Sequence, residues 1–128
     1  MITGIYAGIL GIIFIILSMR VSGERMKVKS SIGSDHPSLL EKIRGHGNFT
    51  EWVPITLILM VIFEINSGKA IYLHMAGVIL ILSRVLHVFG VKHNVMPHPL
   101  RAAGATLNLL LILTMSTLVV YQGLMQNA

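Results

Sequence analysis

The chain has 128 residues, of which 54% are hydrophobic and 12% are charged, and its mean hydropathy is +0.78. Soluble globular domains carry about twice that charged fraction, so the composition excludes an ordinary soluble domain and a disordered chain. The chain contains no cysteine, which excludes a disulfide-built fold, thiol catalysis and cysteine metal sites. No run of basic and aromatic residues accompanies the net charge of +5, so we interpret it as loop charge beside membrane spans and not as a nucleic-acid surface.

Apolar segments predict one all-α integral membrane domain over residues 1–128, a four-helix bundle with spans at about 2–19, 46–65, 70–91 and 100–121. No basic residue precedes the first segment, so we expect it to be retained and not cleaved as a signal peptide. It carries Gly4 and Gly8 in a GxxxG pattern, which predicts close helix packing. The stretch from Arg20 to Ile43 is polar and loop-like, and the helix of the second span is expected to begin within it, with Asp35 or Ser38 as its N-cap.

Basic residues are concentrated in the connections after spans one and three, whereas the turn at residues 66–68 is nearly neutral. Cytoplasmic loops of membrane proteins carry an excess of Lys and Arg. We therefore expect both basic loops to be cytoplasmic and both termini to lie on the opposite side of the membrane.

Polar and ionisable residues in and beside the spans share helix faces at one depth. Arg44, Asn48 and Glu51 are spaced i, i+4 and i+7, and Arg84 and His87 are spaced i and i+3. A third face at the start of span four carries Arg101, Gly104, Ala105 and Asn108. The topology brings all three faces to the cytoplasmic half, where three arginines outnumber one glutamate, so we predict a site for an anionic ligand. The alternative, that Glu51 neutralises an arginine and Asn48 joins helices, stays open.

Residues 44–54, with the sequence RGHGNFTEWVP, resemble the signature of the MAPEG superfamily, the membrane-associated proteins in eicosanoid and glutathione metabolism. A second match is Arg84-Val-Leu-His87, followed by Gly90 and a short loop to Arg101. The chain length and the long basic first loop also fit, so the resemblance covers essentially the whole chain. It is strongest to the short bacterial branch.

The resemblance implies a homotrimer in a bacterial inner membrane, with glutathione bound as co-substrate between subunits and a lipophilic electrophile arriving from the bilayer. The positions that match glutathione contacts are Arg44, Asn48, Glu51, Arg84 and His87, with Arg20 as a looser match. Arg101 also matches a contact position, and we expect it to activate the thiol. Three positions depart from relatives that carry a basic residue, a tyrosine and a serine there: Gly47, Val91 and Ala102.

These observations predict a glutathione transferase or peroxidase in which arginines stabilise the thiolate of the ligand. The alternative is a non-catalytic membrane scaffold that binds lipid or glutathione in the same pocket. A transporter is the least favoured interpretation, because span four has few polar residues beyond its first turn. No metal site and no nucleic-acid partner are expected.

Overall fold

The computed structural model describes residues 1–33, 35–95 and 98–126, and these residues form four α-helices. Helix α1 spans Ile2–Val28, α2 Pro37–Ile65, α3 Ala70–Gly90 and α4 Pro99–Gln126. Each helix is long and apolar enough to cross a membrane, which confirms the predicted all-α, four-span architecture. The protein is an integral multi-pass membrane protein.

The first helix is longer than predicted, and the expectation of a loop from residue 20 onward is wrong for residues 20–28. Those turns are stabilised by a tertiary contact, because the buried Glu24 carboxylate accepts a hydrogen bond from Lys42 of α2. The helix ends at Lys29, whose φ of 53° is left-handed and whose amide bonds to the carbonyl of Arg25. A helix of this length measures about 40 Å, so its last turns extend beyond a hydrocarbon core of about 30 Å.

The helices pack as antiparallel neighbours, with α3 most extensively against α4 and α1 against α2. Helix α2 contacts the other three, whereas α1 and α4 do not touch within the described residues. Gly77 of α3 allows the Tyr6 ring of α1 to approach, since a Cβ there would lie 2.3 Å from the ring. By contrast, Gly4 and Gly8 meet no other helix of the subunit, so the close packing predicted from GxxxG is not made within one copy.

The two ends of the bundle carry different polar groups. The basic end contains residues 28–33, 35–37, 91–95 and 98, and the turn end contains residues 66–69 with the start of α1 and the described end of α4. At the turn end, Glu64 accepts hydrogen bonds from the amides of Ile2 and Thr3, and Gln122 donates to the carbonyl of Asn66 over 3.1 Å. The predicted ligand-binding residues lie toward the basic end.

Candidate functional site

Arg84 joins three helices near the basic end, and its side chain is only 2% exposed. Its Nη1 donates to Oδ1 of Asn48 on α2 over 2.7 Å, and its Nη2 donates to the carbonyl of Gly104 on α4 over 3.3 Å. Its Nε donates to Oγ of Ser83 over 3.2 Å. The guanidinium also lies 6.0 Å from the centroid of the Trp52 ring, within cation–π range. Arg84 is therefore held in place by α2, α3 and α4 together.

All these partners of Arg84 are neutral. Within the described residues, the ion pairs join Glu24 to Lys27 and Lys42, and none involves Arg84 or Glu51. The interpretation that Glu51 neutralises Arg84 is therefore not supported within one subunit, whereas Asn48 does join two helices, as the alternative expected. A buried cation without a carboxylate partner raises the local potential and favours a bound anion nearby.

Two glycines bring the backbones of α3 and α4 into direct contact. A Cβ at Gly104 would lie 2.5 Å from the carbonyl oxygen of Ser83 and 2.7 Å from the amide nitrogen of His87. A Cβ at Gly90 would lie 2.2 Å from the amide nitrogen of Arg101. Only residues without a Cβ allow this approach. It fixes the buried His87 and the partly buried Arg101 at the same level of the bundle.

A pocket of about 150 Å³ at the basic end brings Arg44 and Arg101 together. Its lining is Leu40, Glu41, Arg44, Val91, Lys92, His93 and Arg101. Glu41 is the one carboxylate in that lining, and its Oε1 accepts a hydrogen bond from the amide of His93 over 2.8 Å. The acidic group thus holds the loop after α3, and the pocket keeps an excess of positive charge.

His87 connects this pocket to the buried arginine. Its ring, 5% exposed, lies within electrostatic range of Arg84, Arg101 and Arg44. Arg101 lies in the first turn of α4, and Arg84 bonds to the carbonyl of Gly104 about one turn further along the same helix. The structure therefore brings five of the seven predicted residues into one continuous region: Arg44, Asn48, Arg84, His87 and Arg101.

Two predicted residues remain apart from that region within the subunit. Glu51 is exposed on the outer face of α2, one turn beyond Asn48. Arg20 is exposed at the basic end of α1 and lines a different pocket, which also contains Lys42 and Phe89. A single copy of the chain does not unite all the predicted contacts.

The chain is similar to known proteins over most of its length. The model of the MAPEG family matches residues 3–121. The chain belongs to the MAPEG family. Its relatives include the inner membrane protein YecN from two strains of Escherichia coli, K12 and O6:H1, each 29% identical over 119 residues that cover 92% of this chain and 91% of the relative. No solved structure gives a significant match.

Sequence reasoning missed several groups that position the site of this MAPEG protein. Trp52 packs on the Arg84 guanidinium, and its spacing of four residues from Asn48 on α2 is a signal that could have identified it. The carbonyl of Gly104 carries no such signal, because any residue has a carbonyl and only the α3–α4 approach makes this one available. Asn108, predicted to share a face with Arg101 and Gly104, is fully buried, and neither atom of its amide has a partner among the described residues.

Proposed function

We propose that this MAPEG protein binds glutathione at the basic end and activates its thiol for transfer to lipophilic electrophiles. The observation that carries the proposal is the convergence of Arg44, Arg84 and Arg101 around His87, where the buried Arg84 has only neutral hydrogen-bond partners among the described residues. Glutathione supplies the complementary groups, since it carries two carboxylates and, once ionised, a thiolate.

Each arginine has a distinct role in the proposal. Arg44 is exposed in the pocket and free to bind a carboxylate of the ligand through a two-pronged contact. Arg101 lies in the first turn of α4, where the helix N-terminus adds partial positive charge, so it stabilises the thiolate. A free thiol has a pKa of about 8.5 and is ionised to only a few per cent at neutral pH, which makes this stabilisation the central chemical task.

Arg84 is buried, and three of its five N–H donors bond to Asn48, Ser83 and Gly104, so in the proposal it acts on the ligand mainly through its charge. It contributes positive charge and orients the Asn48 amide, which in turn orients the peptide part of glutathione. Glu51 accepts a hydrogen bond from the amino group of the ligand. The role of Arg20 as a further glutathione contact stays a prediction.

The size of the pocket supports a site shared between subunits. Its volume of about 150 Å³ is well below the roughly 300–1,000 Å³ that is usual for a small-molecule site. Glu51 faces outward from the subunit, where a neighbouring copy of the chain would bring it into contact with the ligand. The proposal therefore includes a homotrimer. The relatives named inner membrane proteins support the same location here. The excess of basic residues in two loops supports an orientation with the basic end in the cytoplasm.

In the proposed reaction, the glutathione sulfur attacks an electrophilic carbon of an aryl halide and forms a C–S bond. The halide leaves with the electrons of the broken bond, and the thiol proton passes to solvent. With a lipid hydroperoxide, two glutathione molecules become one disulfide while the hydroperoxide becomes an alcohol and water. The protein provides charge and position and forms no covalent bond to the substrate.

The test is a titration of the full chain with glutathione in detergent, measured by calorimetry and by the ultraviolet absorbance of the thiolate. We expect binding with thiolate formation for the wild type, and bound but largely un-ionised thiol for Arg101→Ala. Lys27→Ala is the matched control, because it removes one exposed positive charge outside the pocket. A wild type that binds no glutathione contradicts the proposal, as does an Arg101→Ala variant with undiminished thiolate absorbance.

The second candidate function is a non-catalytic scaffold. One observation favours it, namely that three of the five N–H donors of Arg84 bond to groups of the protein itself, so this arginine already has a structural use. Conjugation of a generic aryl halide separates the two functions. Glutathione binding without thiolate formation or conjugation would support the scaffold.

A further inference from the structure

A second basic pocket lies at the basic end between α1, α2 and α3, with a volume of about 190 Å³. Its lining is Leu17, Arg20, Glu41, Lys42, Gly45, Val88, Phe89, Val91 and Lys92. It shares the wall formed by Glu41, Val91 and Lys92 with the Arg44–Arg101 pocket, but contains neither Arg44 nor Arg101. The carboxylate-binding and thiol-activating arginines of the proposed glutathione site, Arg44 and Arg101, therefore lie in the other pocket.

The charges in this second pocket are unequal. Its carboxylate, Glu41, bonds to the backbone amide of His93, and Lys42 is paired with Glu24. Arg20 and Lys92 are both exposed, and no hydrogen bond or ion pair engages either side chain within the described residues. Two cations therefore face the opening of the pocket without an anionic partner from the subunit.

The remaining walls are apolar and continue along the outside of the bundle. Leu17 and Val88 line the pocket, and Phe89 is 63% exposed beside it. One and two turns further along α3, Val85 and Leu82 are exposed as well. The cations thus stand at the end of an apolar strip that lies along a membrane-crossing helix.

The cations also lie at the level of lipid headgroups. Arg20 follows the uncharged part of α1, and Lys92 follows the end of α3 at Gly90, so both stand where the apolar segments end. Basic pockets between membrane helices bind anionic headgroups. A phosphate between two cations with an acyl chain along an apolar strip is the arrangement of a bound phospholipid.

We propose that the α1–α2–α3 pocket binds an anionic phospholipid, with its phosphate between Arg20 and Lys92 and the beginning of an acyl chain against Phe89. The inference goes beyond the glutathione function and does not depend on it. It assigns Arg20 to a lipid contact within the subunit.

The experiment measures thermal unfolding of the delipidated full chain in neutral detergent while lipid is added. Phosphatidylglycerol is compared with phosphatidylcholine of the same acyl chains and with inorganic phosphate. We expect phosphatidylglycerol alone to raise the unfolding temperature in a saturable way. Equal protection by phosphatidylcholine, or by inorganic phosphate, would overturn the proposal, because the pocket would then recognise the chain alone or any free anion.

Substitutions then test whether the protection by phosphatidylglycerol arises at the α1–α2–α3 pocket. Arg20→Ala with Lys92→Ala should weaken the apparent phosphatidylglycerol affinity roughly 30-fold, which corresponds to about 2 kcal/mol for two basic residues. The matched control, Lys27→Ala with Lys69→Ala, removes two exposed charges outside the pocket and should keep the wild-type affinity. If the double variant does not fold, Arg20→Ala alone should show about fivefold weaker affinity.

A crossed measurement separates this proposal from the glutathione function. Arg44→Ala should lose glutathione binding and keep protection by phosphatidylglycerol, whereas Arg20→Ala should lose protection by phosphatidylglycerol. An Arg20→Ala variant that loses glutathione and keeps lipid protection would overturn the lipid assignment. That result would return Arg20 to the glutathione site.

Discussion

The two ends of the bundle treat charge in opposite ways. At the turn end, the Glu64 carboxylate accepts hydrogen bonds from the first amides of α1, at Ile2 and Thr3, where a helix most needs an acceptor. Near the basic end, the Arg84 guanidinium is buried more deeply than Glu64 and has only neutral hydrogen-bond partners within the described residues. The charge of Glu64 at the turn end stabilises the start of a helix. The charge of Arg84 near the basic end has no carboxylate partner among the described residues. The proposed anion-binding site gives that excess positive charge a use.

The same contrast holds for hydrogen bonds between side chains. Tyr6 and His74 bond to each other over 2.9 Å between the phenol oxygen and Nδ1, with their rings edge to face. This bond makes His74 part of the packing between α1 and α3. His87, on the same helix, has arginines around it instead of a tyrosine. Position along α3 therefore separates a structural histidine from one in a charged site.

The largest expected effect comes from adding a side chain where the backbones of α3 and α4 are in contact. Gly104→Ala would place a Cβ against the backbone of Ser83 and His87, which cannot rotate away as a side chain could. We expect the free energy of unfolding to fall by about 3 kcal/mol and glutathione binding to be lost with it. Thermal unfolding in detergent and calorimetric titration check both.

Gly23→Ala is the control for that change, because a Cβ there meets nothing within 4 Å. Its unfolding temperature should equal or slightly exceed that of the wild type, since alanine favours a helix. A Gly104→Ala variant as stable as Gly23→Ala would show that the α3–α4 contact does not determine the site.

A smaller effect is expected from breaking the contact of Arg84 with Asn48. Asn48→Ala leaves a buried guanidinium without its shortest hydrogen bond and should cost about 2 kcal/mol. Arg84→Met removes the charge while keeping much of the volume, so it should cost less stability than Asn48→Ala. Both variants should lose glutathione affinity. If Arg84→Met is the more destabilised of the two and keeps glutathione affinity, the arginine serves the fold and not the site.

The four-helix fold and the depth of the site residues could be predicted from the sequence, because helix periodicity and span length are local properties. Arg44, Asn48 and Arg84 were expected at one depth from spacing and topology, and Asn48 does contact Arg84. The helical extension of α1 could not be predicted, since it depends on Lys42 reaching Glu24 from another helix. The carbonyl partner at Gly104 depends on a backbone approach that no side-chain pattern encodes.

The smallest expected effects come from two alanine substitutions on the same helix, one at each of two glutamates of α2. They compare the two ends of the bundle directly. Glu64→Ala removes the acceptor for the amides of Ile2 and Thr3 and should lower the free energy of unfolding by about 1 kcal/mol, as loss of a helix cap does. Glutathione affinity should not change, since Glu64 lies at the turn end. Glu51→Ala should do the opposite, because Glu51 is exposed and makes no ion pair within the described residues. Its unfolding temperature should match the wild type while glutathione affinity falls. If both variants lose stability and neither loses affinity, the two ends do not differ in function, and the excess charge at the basic end has another use.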